Sequence, residues 1–396
     1  MNLQLPVYLD NNATTPMDPR VLEEMLPYFT LKFGNAASRS HTYGWEAEEA
    51  VEVARERIGE LIGARPQEII FTSGATEGVN LALKGVLENT LTGKHIITCE
   101  TEHKAVLDTC QHLEKHGYEV TRLPVKPDGV IDTDELQKSI RKDTVLISVM
   151  YANNETGVVQ PVSEIGTIAK KHRILFFTDA TQAIGKIPVD VRDDNIDILS
   201  FSGHKIYGPK GVGALYVRRK NPAVSLTAQI DGGGHQRGMR SGTLNVPGIV
   251  GLGKAAELCM QEMDQEYHKL RAFRDIFENK MLDLGNVTVN SQDAARLPHC
   301  LNISFGGIDG EKLMMQANRD LAFSQSSACT SATLEPSYVL KAMGLEDGMI
   351  HNSFRFSFGR FTTDEQVDYA IRIIAQLVTQ HRNEMTSNLT GNSVFF

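Results

Sequence analysis

The stretch that decides the fold is DILSFSGHKIYGPKGVGALYV, residues 197–217. Its apolar run Ile198-Leu199-Ser200-Phe201 reads as a buried strand and breaks into Ser202-Gly203-His204-Lys205. A glycine-rich turn follows, and a second apolar strand begins near Val212. A lysine that serves only solubility sits on a polar face and needs no such setting. One lysine wedged between two apolar strands has an unusual address, whose meaning depends on the rest of the chain.

The surrounding chain supplies the frame. From residue 69, IIFTSGA, HIITCE, YEVTRLPV, TVLISVMYA and ILFFTDA read as strands. Between them TEGVNLALKGVLE, KAVLDTCQHLEKHG, DTDELQKSI and PVSEIGTIAKKH read as helices. Near-continuous apolar strands alternating with helices predict an α/β fold, a largely parallel sheet covered on both faces. The two strands flanking Lys205 extend it.

After about residue 246 the pattern changes. Residues 246–284 form one long helical pattern stopped by Gly285. Strand HCLNISF, helices GEKLMMQANRD and PSYVLKAMG, and strand SFRFSFG follow. A last helix is capped by Thr362 or Thr363, with Glu365 and Gln366 behind them. The expected division is a large domain over residues 15–258 and a smaller α+β domain made of residues 1–14 and 259–396. The tail TSNLTGNSVFF shows little helical promise.

With 396 residues, 41% of them hydrophobic and 22% charged, the chain is of the globular, water-soluble class. A formal charge of −9 without a basic run argues against a nucleic-acid surface. No apolar run approaches the roughly 20 residues of a membrane helix. The start MNLQLPVYLDNNATTP lacks the charged and apolar regions of a signal peptide. Five cysteines, Cys99, Cys110, Cys259, Cys300 and Cys329, are odd in number and show no CxxC pair. Free thiols in a reducing cytoplasm are expected.

Ligands of open α/β sheets sit beyond the carboxyl ends of the strands, and several polar residues fall there. FTSGATEG offers backbone N–H groups and a helix dipole to an anion. Asp179 ends an apolar strand, with Gln182 three residues on, and His103 and Asn153-Asn154 end two others. Taken singly, each has a plain structural alternative, such as a cap, an Asx-turn or a paired carboxylate. Together they ring one edge of one sheet with Lys205.

These positions, with the ordered motifs YLDNNATTP, FTSGATE, ETEHKAV, NNETGVVQP, TDATQAIGKIPVD, SFSGHKIYGPKG, RGMRSGT, SSACTSATLEPSYVL and RFSFGRFTT, resemble those of pyridoxal-phosphate enzymes of fold type I. Within that group the chain resembles the cysteine desulfurases of the NifS/IscS-like family, and their IscS-like housekeeping branch in particular. The resemblance spans all but the final dozen residues. It implies a PLP-dependent transferase fold with a mostly parallel seven-stranded sheet, pyridoxal 5'-phosphate as cofactor, no metal, and a cytoplasmic homodimer. The implied substrate is L-cysteine. Sulfur passes to a U-type iron–sulfur scaffold protein and other acceptors, possible use in tRNA thiolation included, with no direct contact to nucleic acid or membrane.

The resemblance also implies roles. Lys205 holds the cofactor covalently and moves the proton at the substrate Cα. Asp179 pairs with the pyridine nitrogen, Gln182 donates to the ring oxygen, and His103 stacks on the ring and relays a proton. Ala75, Thr76, Ser202 and His204 cradle the phosphate, completed by Thr243 of the other subunit. Asn154 contacts cofactor and substrate, and Arg355 binds the substrate carboxylate, with Arg360 a competitor for that role. Cys329, within a polar loop at about residues 324–334 that ends before a helix at Glu335, is the nucleophile that accepts sulfur. The other four cysteines fit as ordinary core residues.

Two alternatives belong to the same reading: a selenocysteine lyase or other fold type I enzyme, and a non-catalytic sulfur carrier. The chain departs from the family at Gly34-Asn35-Ala36, where proline is common, at Ser326, where glycine is common, and in its carboxyl-terminal tail.

Overall fold

The computed structural model describes residues 3–90, 93–325 and 336–391, with side chains through residue 385. Strand β1 (Val7–Tyr8) and helices α1 (Pro19–Met25), α2 (Pro27–Thr30) and α3 (Thr42–Leu61) open the chain. The alternating region follows as β2 (Ile69–Thr72), α4 (Ala75–Glu88), β3 (His95–Cys99), α5 (Lys104–Glu114) and β4 (Glu119–Leu123). It continues through α6 (Thr133–Ser139), β5 (Thr144–Ser148), α7 (Val162–His172) and β6 (Leu175–Asp179) to β7 (Ile198–Ser202) and β8 (Gly213–Val217).

These strands make one seven-stranded sheet in the order β2-β8-β7-β6-β5-β3-β4. All pairings are parallel except those of β8, which runs antiparallel to both β2 and β7. The fold class read from the strand pattern is therefore the observed one. Parallel strands lie buried on both faces, which is why β3, β6 and β7 read as unbroken apolar runs. One face packs on Ile97, Ile147, Phe176 and Phe201, the other on Ile96, Leu146, Phe177 and Ile198, each within its own hydrophobic cluster.

Helix α8 (Val246–Leu282) is 37 residues long, about 55 Å at 1.5 Å per residue. Its first part buries Ile249, Leu252 and Ala256 in the cluster of the large sheet. Its second part buries Leu270, Phe273 and Phe277 in a separate cluster. That second cluster lies on a four-stranded sheet, β12 (Ser324–Gln325), β13 (Ser353–Ser357), β10 (Cys300–Phe305) and β9 (Val287–Val289), in that order. Helices α9 (Gly310–Ala317), α10 (Tyr338–Ala342), α11 (Asp347–His351) and α12 (Asp364–Gly391) complete this part, and β11 (Leu321–Ala322) pairs with β1. Val7 and Leu9 belong to the same cluster.

Two regions differ from the sequence expectation. No element was read before residue 69, yet α3 spans 20 residues. Its buried Ala47, Val51, Ala54 and Ile58 have helical spacing, but small residues among many glutamates give a weak apolar stripe. α3 docks where Gly253 of α8 leaves room: a Cβ there would lie 2.6 Å from the Ala54 Cβ. The carboxyl-terminal tail is the second correction, because α12 runs on to Gly391. A cap of Thr363 and Gln366, each side chain accepting from the other's backbone N–H, nucleates it. Adding residues to a formed helix is far easier than starting one. Residues 392–396 lie outside the described residues, as do Cys329, Ser326 and Glu335; α10 starts at Tyr338, capped by Ser337.

A charged network ties α1, α8 and the start of α12 together. Arg360 donates to Asp18 at 2.7 Å and to Glu266, and its guanidinium lies 4.4 Å from the ring centroid of buried Tyr207. Burial raises the Asp18 carboxyl, but hydrogen bonds from Arg20 and Arg360 outweigh it and hold it well below the usual range. Asp18 and the Arg360 side chain are both almost fully buried. Removing one partner leaves uncompensated buried charge, so Arg360→Met is expected to destabilise the fold by about 3–5 kcal/mol. A urea midpoint unchanged from that of the parent would show that the network contributes nothing.

Candidate active site

A cleft of about 440 Å³ opens beyond the carboxyl ends of the parallel strands, within the range of small-molecule sites. Its wall includes Ala75, Thr76, His103, Asn154, Asp179, Gln182, Ser202, His204, Lys205 and Arg355. Residues up to 280 positions apart in sequence thus meet at one place. Thr243 is exposed and not part of this wall. Cys329 falls outside the described residues.

Lys205 ends a 3-10 turn, Gly203–Lys205, between β7 and β8. The turn is positioned by a close approach of backbones. A Cβ on Gly213 would lie 2.5 Å from the Phe201 carbonyl oxygen and 2.7 Å from the Gly74 Cα, so only glycine permits β8 to pack there. The Lys205 Nζ donates to the carbonyls of Asn12 and Ala13, the latter at 2.7 Å. Next to it, His204 Nδ1 lies 3.1 Å from the Thr14 hydroxyl. Burial, and then the charges of Lys205 and Lys210, push the His204 pKa down to about 4. The ring is neutral at physiological pH.

At the floor, Asp179 terminates β6 and accepts from the Thr181 N–H at 3.0 Å. Gln182 Nε2 donates to the Asn12 carbonyl at 3.0 Å. His103 caps α5, its Nδ1 accepting from the Ala105 N–H at 3.1 Å. A neutral ring in that arrangement carries its proton on Nε2. Behind this floor stands Glu102, with no solvent exposure. Burial pushes its carboxyl well above the ordinary range, the Met150 N–H lowers it, and the charge of Asp179 raises it further. Glu102 is accordingly held towards its neutral form.

The opposite end is suited to an anion. Helix α4 begins at Ala75 with its first N–H groups at the cleft wall, and Thr76, Ser202 and His204 surround it. Glu77, in its first turn, accepts from the Ser73 N–H at 2.8 Å and from Arg240 at 2.9 Å. This pair pins the RGMRSGT segment, which contains Thr243, against α4.

Arg355 and Arg360 part company in space. Arg355 lines the cleft and donates to the Asn154 carbonyl at 2.8 Å. Arg360 is bound into the Asp18–Glu266 network and lines no part of the cleft. Of the two, only Arg355 is placed to meet a ligand. Asp10, Asn12 and Glu102 carry no role in the sequence reading, although all stand inside its motifs. Their signal was weak because two act through a backbone carbonyl or a hidden acid, neither of which a residue type reveals.

The residues present fit pyridoxal phosphate. A helix N-terminus with hydroxyls matches a phosphate, a carboxylate matches a protonated pyridine nitrogen, and a lysine amine matches an aldehyde. Asn154 Oδ1 and Thr181 Oγ1 are buried without a partner among the described residues, and both residues line the cleft. The four described cysteines are all buried. Burial pushes the Cys99 and Cys110 thiols up to about 12 and those of Cys259 and Cys300 up to about 11, which leaves them poor nucleophiles.

Comparison with known proteins gives the family. The aminotransferase class-V family model matches residues 7–370. A protein named cysteine desulfurase IscS from Anaeromyxobacter dehalogenans is 56% identical, over 96% of this chain and 94% of its own length. One of the same name from Pectobacterium carotovorum is 54% identical, over 96% and 95%. Among solved structures, a NifS-like protein superposes with a TM-score of 0.87 at 38% identity, covering 95% of this chain and all of the other. SspA in complex with cysteine gives 0.79 at 39% identity, covering 90% and 99%.

The His204 environment has a measurable consequence. Its pKa falls from 6.5 to about 4 on folding, so between those values the unfolded chain binds the extra proton. The contribution of His204 to stability is complete above pH 6.5 and is lost as pH falls towards 4. His204→Gln is expected to lose less stability over that interval than the parent, by about 1–2 kcal/mol once solvent screening of the partly exposed ring is allowed for. Urea midpoints at the two pH values check this, and equal losses would mean that His204 charges freely in place.

Proposed function

Since the chain belongs to the class-V aminotransferase family, we propose that it is a pyridoxal-phosphate-dependent cysteine desulfurase supplying sulfur for iron–sulfur cluster assembly. The observation that carries this is the convergence of Lys205, Asp179, His103 and Arg355 on one cleft, in a chain that its cysteine desulfurase relatives match almost end to end. Pyridoxal phosphate, when bound, supplies an electron sink conjugated with the substrate Cα. Asp179, Gln182 and Asn154 would hold its ring, and Ala75, Thr76, Ser202 and His204 its phosphate. A neutral His204 suits that place as a hydrogen-bonding group that does not titrate at working pH.

The remaining chemistry belongs to the chain. Arg355 and Asn154 orient the α-carboxylate of L-cysteine, a planar guanidinium matching a carboxylate at two points. Lys205 takes and returns the proton at Cα, and His103 relays protons from the ring face. The Cys329 thiolate forms an S–S bond to the substrate sulfur as the Cβ–S bond breaks. The electron pair of that bond passes to Cβ, which takes up a proton, and the carbon skeleton leaves as L-alanine. Cys329 then carries a persulfide for a U-type scaffold protein and other acceptors. The suppressed thiols of Cys99, Cys110, Cys259 and Cys300 leave that nucleophilic role to Cys329.

The same reading divides the chain into a large domain of residues 15–258 and a small one of residues 1–14 and 259–396. It makes the protein a cytoplasmic homodimer in which Thr243 completes the partner's phosphate site. No helix among the described residues is long and apolar enough to cross a membrane. Support for the dimer comes from an apolar surface on the amino-terminal helices. Leu26, Phe29, Leu31, Phe33 and Trp45 are each more than half exposed, and the Phe33 and Tyr43 rings lie tilted to one another with centroids 5.2 Å apart. Exposed apolar groups in such density mark an interface.

Three outcomes are expected. Lys205→Ala abolishes alanine formation from L-cysteine, and normal turnover by the purified variant would remove Lys205 from the mechanism. Brief iodoacetamide exposure labels Cys329 ahead of the other four cysteines, and Cys329→Ser forms neither persulfide nor alanine at a useful rate. Prior labelling of Cys300 or Cys99, with full activity in the serine variant, would defeat the desulfurase reading. Replacing Leu31 and Phe33 together by Glu shifts the sedimentation coefficient from that of a dimer to that of a monomer; an unshifted dimer would place the interface elsewhere.

A further inference from the structure

Arg355 does not meet the cleft alone. Its Nη2 donates to Asp10 Oδ1 at 2.6 Å and to the Ser324 hydroxyl at 3.0 Å. Ser324 in turn donates to the same Asp10 oxygen at 2.9 Å. The backbone fixes all three. Ser324 of β12 faces Arg355 of β13 in antiparallel register, and Asp10 bridges Ser357, two residues further along β13. The Tyr8 hydroxyl holds the Asp10 carbonyl at 3.0 Å. The Arg355 side chain is 5% exposed and that of Asp10 19%.

We propose that Asp10, assisted by Ser324, is a positioning residue for recognition of the substrate's α-carboxylate: it fixes the Arg355 guanidinium in one orientation at the cleft wall. The inference rests on the reading of Arg355 as carboxylate anchor. Two effects of Asp10 oppose each other. Its negative charge offsets part of the attraction between Arg355 and an incoming carboxylate. Against that, a guanidinium this buried needs a counter-charge while the site is empty. Without one it relaxes towards water, and substrate binding must restore the buried arrangement. The side chain of arginine has many rotamers to lose, so a pre-set fork binds better than a loose one. At hydrogen-bond distance, with the guanidinium largely buried, the orienting effect is the larger, because charge-assisted bonds are about twice as strong as neutral ones.

The test uses the holoenzyme and the isosteric Asp10→Asn. L-alanine, which has the carboxylate but no thiol, is titrated through the change in the cofactor's visible absorption, and ethylamine, which has no carboxylate, is titrated in the same way. Asp10→Asn is expected to weaken L-alanine binding about fivefold to tenfold and to raise the KM for L-cysteine by a similar factor, with kcat within about twofold. Ethylamine binding and the melting temperature are expected to match the parent. Ser324→Ala is expected to show the same pattern at about twofold to threefold. Unchanged or tighter L-alanine binding in Asp10→Asn overturns the proposal, and so does an equal loss for ethylamine, which would signal general damage. Arg355→Lys separates the two levels. If it weakens L-alanine binding and Asp10→Asn does not, only the role of Asp10 falls. If it leaves L-alanine binding intact, the anchor itself was misassigned and both fall.

Discussion

The cleft depends on one constraint, the meeting of two glycine-bearing backbones at the edge of the large sheet. β8 can lie antiparallel between β2 and β7 only because Gly213 offers no side chain to the Phe201 carbonyl and to Gly74. That contact sets the turn holding His204 and Lys205 and the start of α4 on the same side of the sheet. An added methyl at Gly213 would move the amine and the anion end of the cleft relative to each other. A cofactor that must reach both ends fixes the distance between them, so the close approach is a functional dimension as much as a packing detail.

Much of this was legible in the sequence because parallel sheets write their strands plainly. β3, β5, β6 and β7 carry apolar runs, and polar residues at or just beyond their carboxyl ends, His103, Asn154, Asp179 and Ser202, meet in the cleft. Lys205 stood out as one lysine between two apolar strands, and the family resemblance gave it its role. Helix α3 was not legible, since its buried face is mostly small residues, glycine, alanine and valine, among glutamates. The extension of α12 over residues 386–391 was not either, because local propensity says little once a capped, packed helix is already growing. Nor was the choice between Arg355 and Arg360, five residues apart, which depends on strand register and on buried carboxylates from distant segments.

The amino terminus illustrates how a motif can matter without contributing reactive side chains. Residues 10–15 thread between the two hydrophobic cores. They offer the carbonyls of Asn12 and Ala13 to Lys205, and Thr15 binds the turn through the His204 carbonyl and the Tyr207 N–H. Asn12 also reaches Asn154 and Cys300 with its amide, at 3.1 Å in each case. Backbone groups aimed in this way have no counterpart in a list of residue types, which is why sequence motifs locate such a segment better than they explain it.

Helix α8 carries a mechanical consequence. Its two halves are each anchored in a different hydrophobic cluster, and no break in helical structure separates them. Swinging one core against the other would therefore bend an unbroken rod and strain its hydrogen-bond ladder, whose curvature is normally gentle unless proline, a bulge or an inserted group interrupts it. Such a body resists hinging and behaves as a rigid chassis. Compliance is left to the short connections around the cleft, so a ligand would enter it through small, local displacements rather than by swinging one core upon the other.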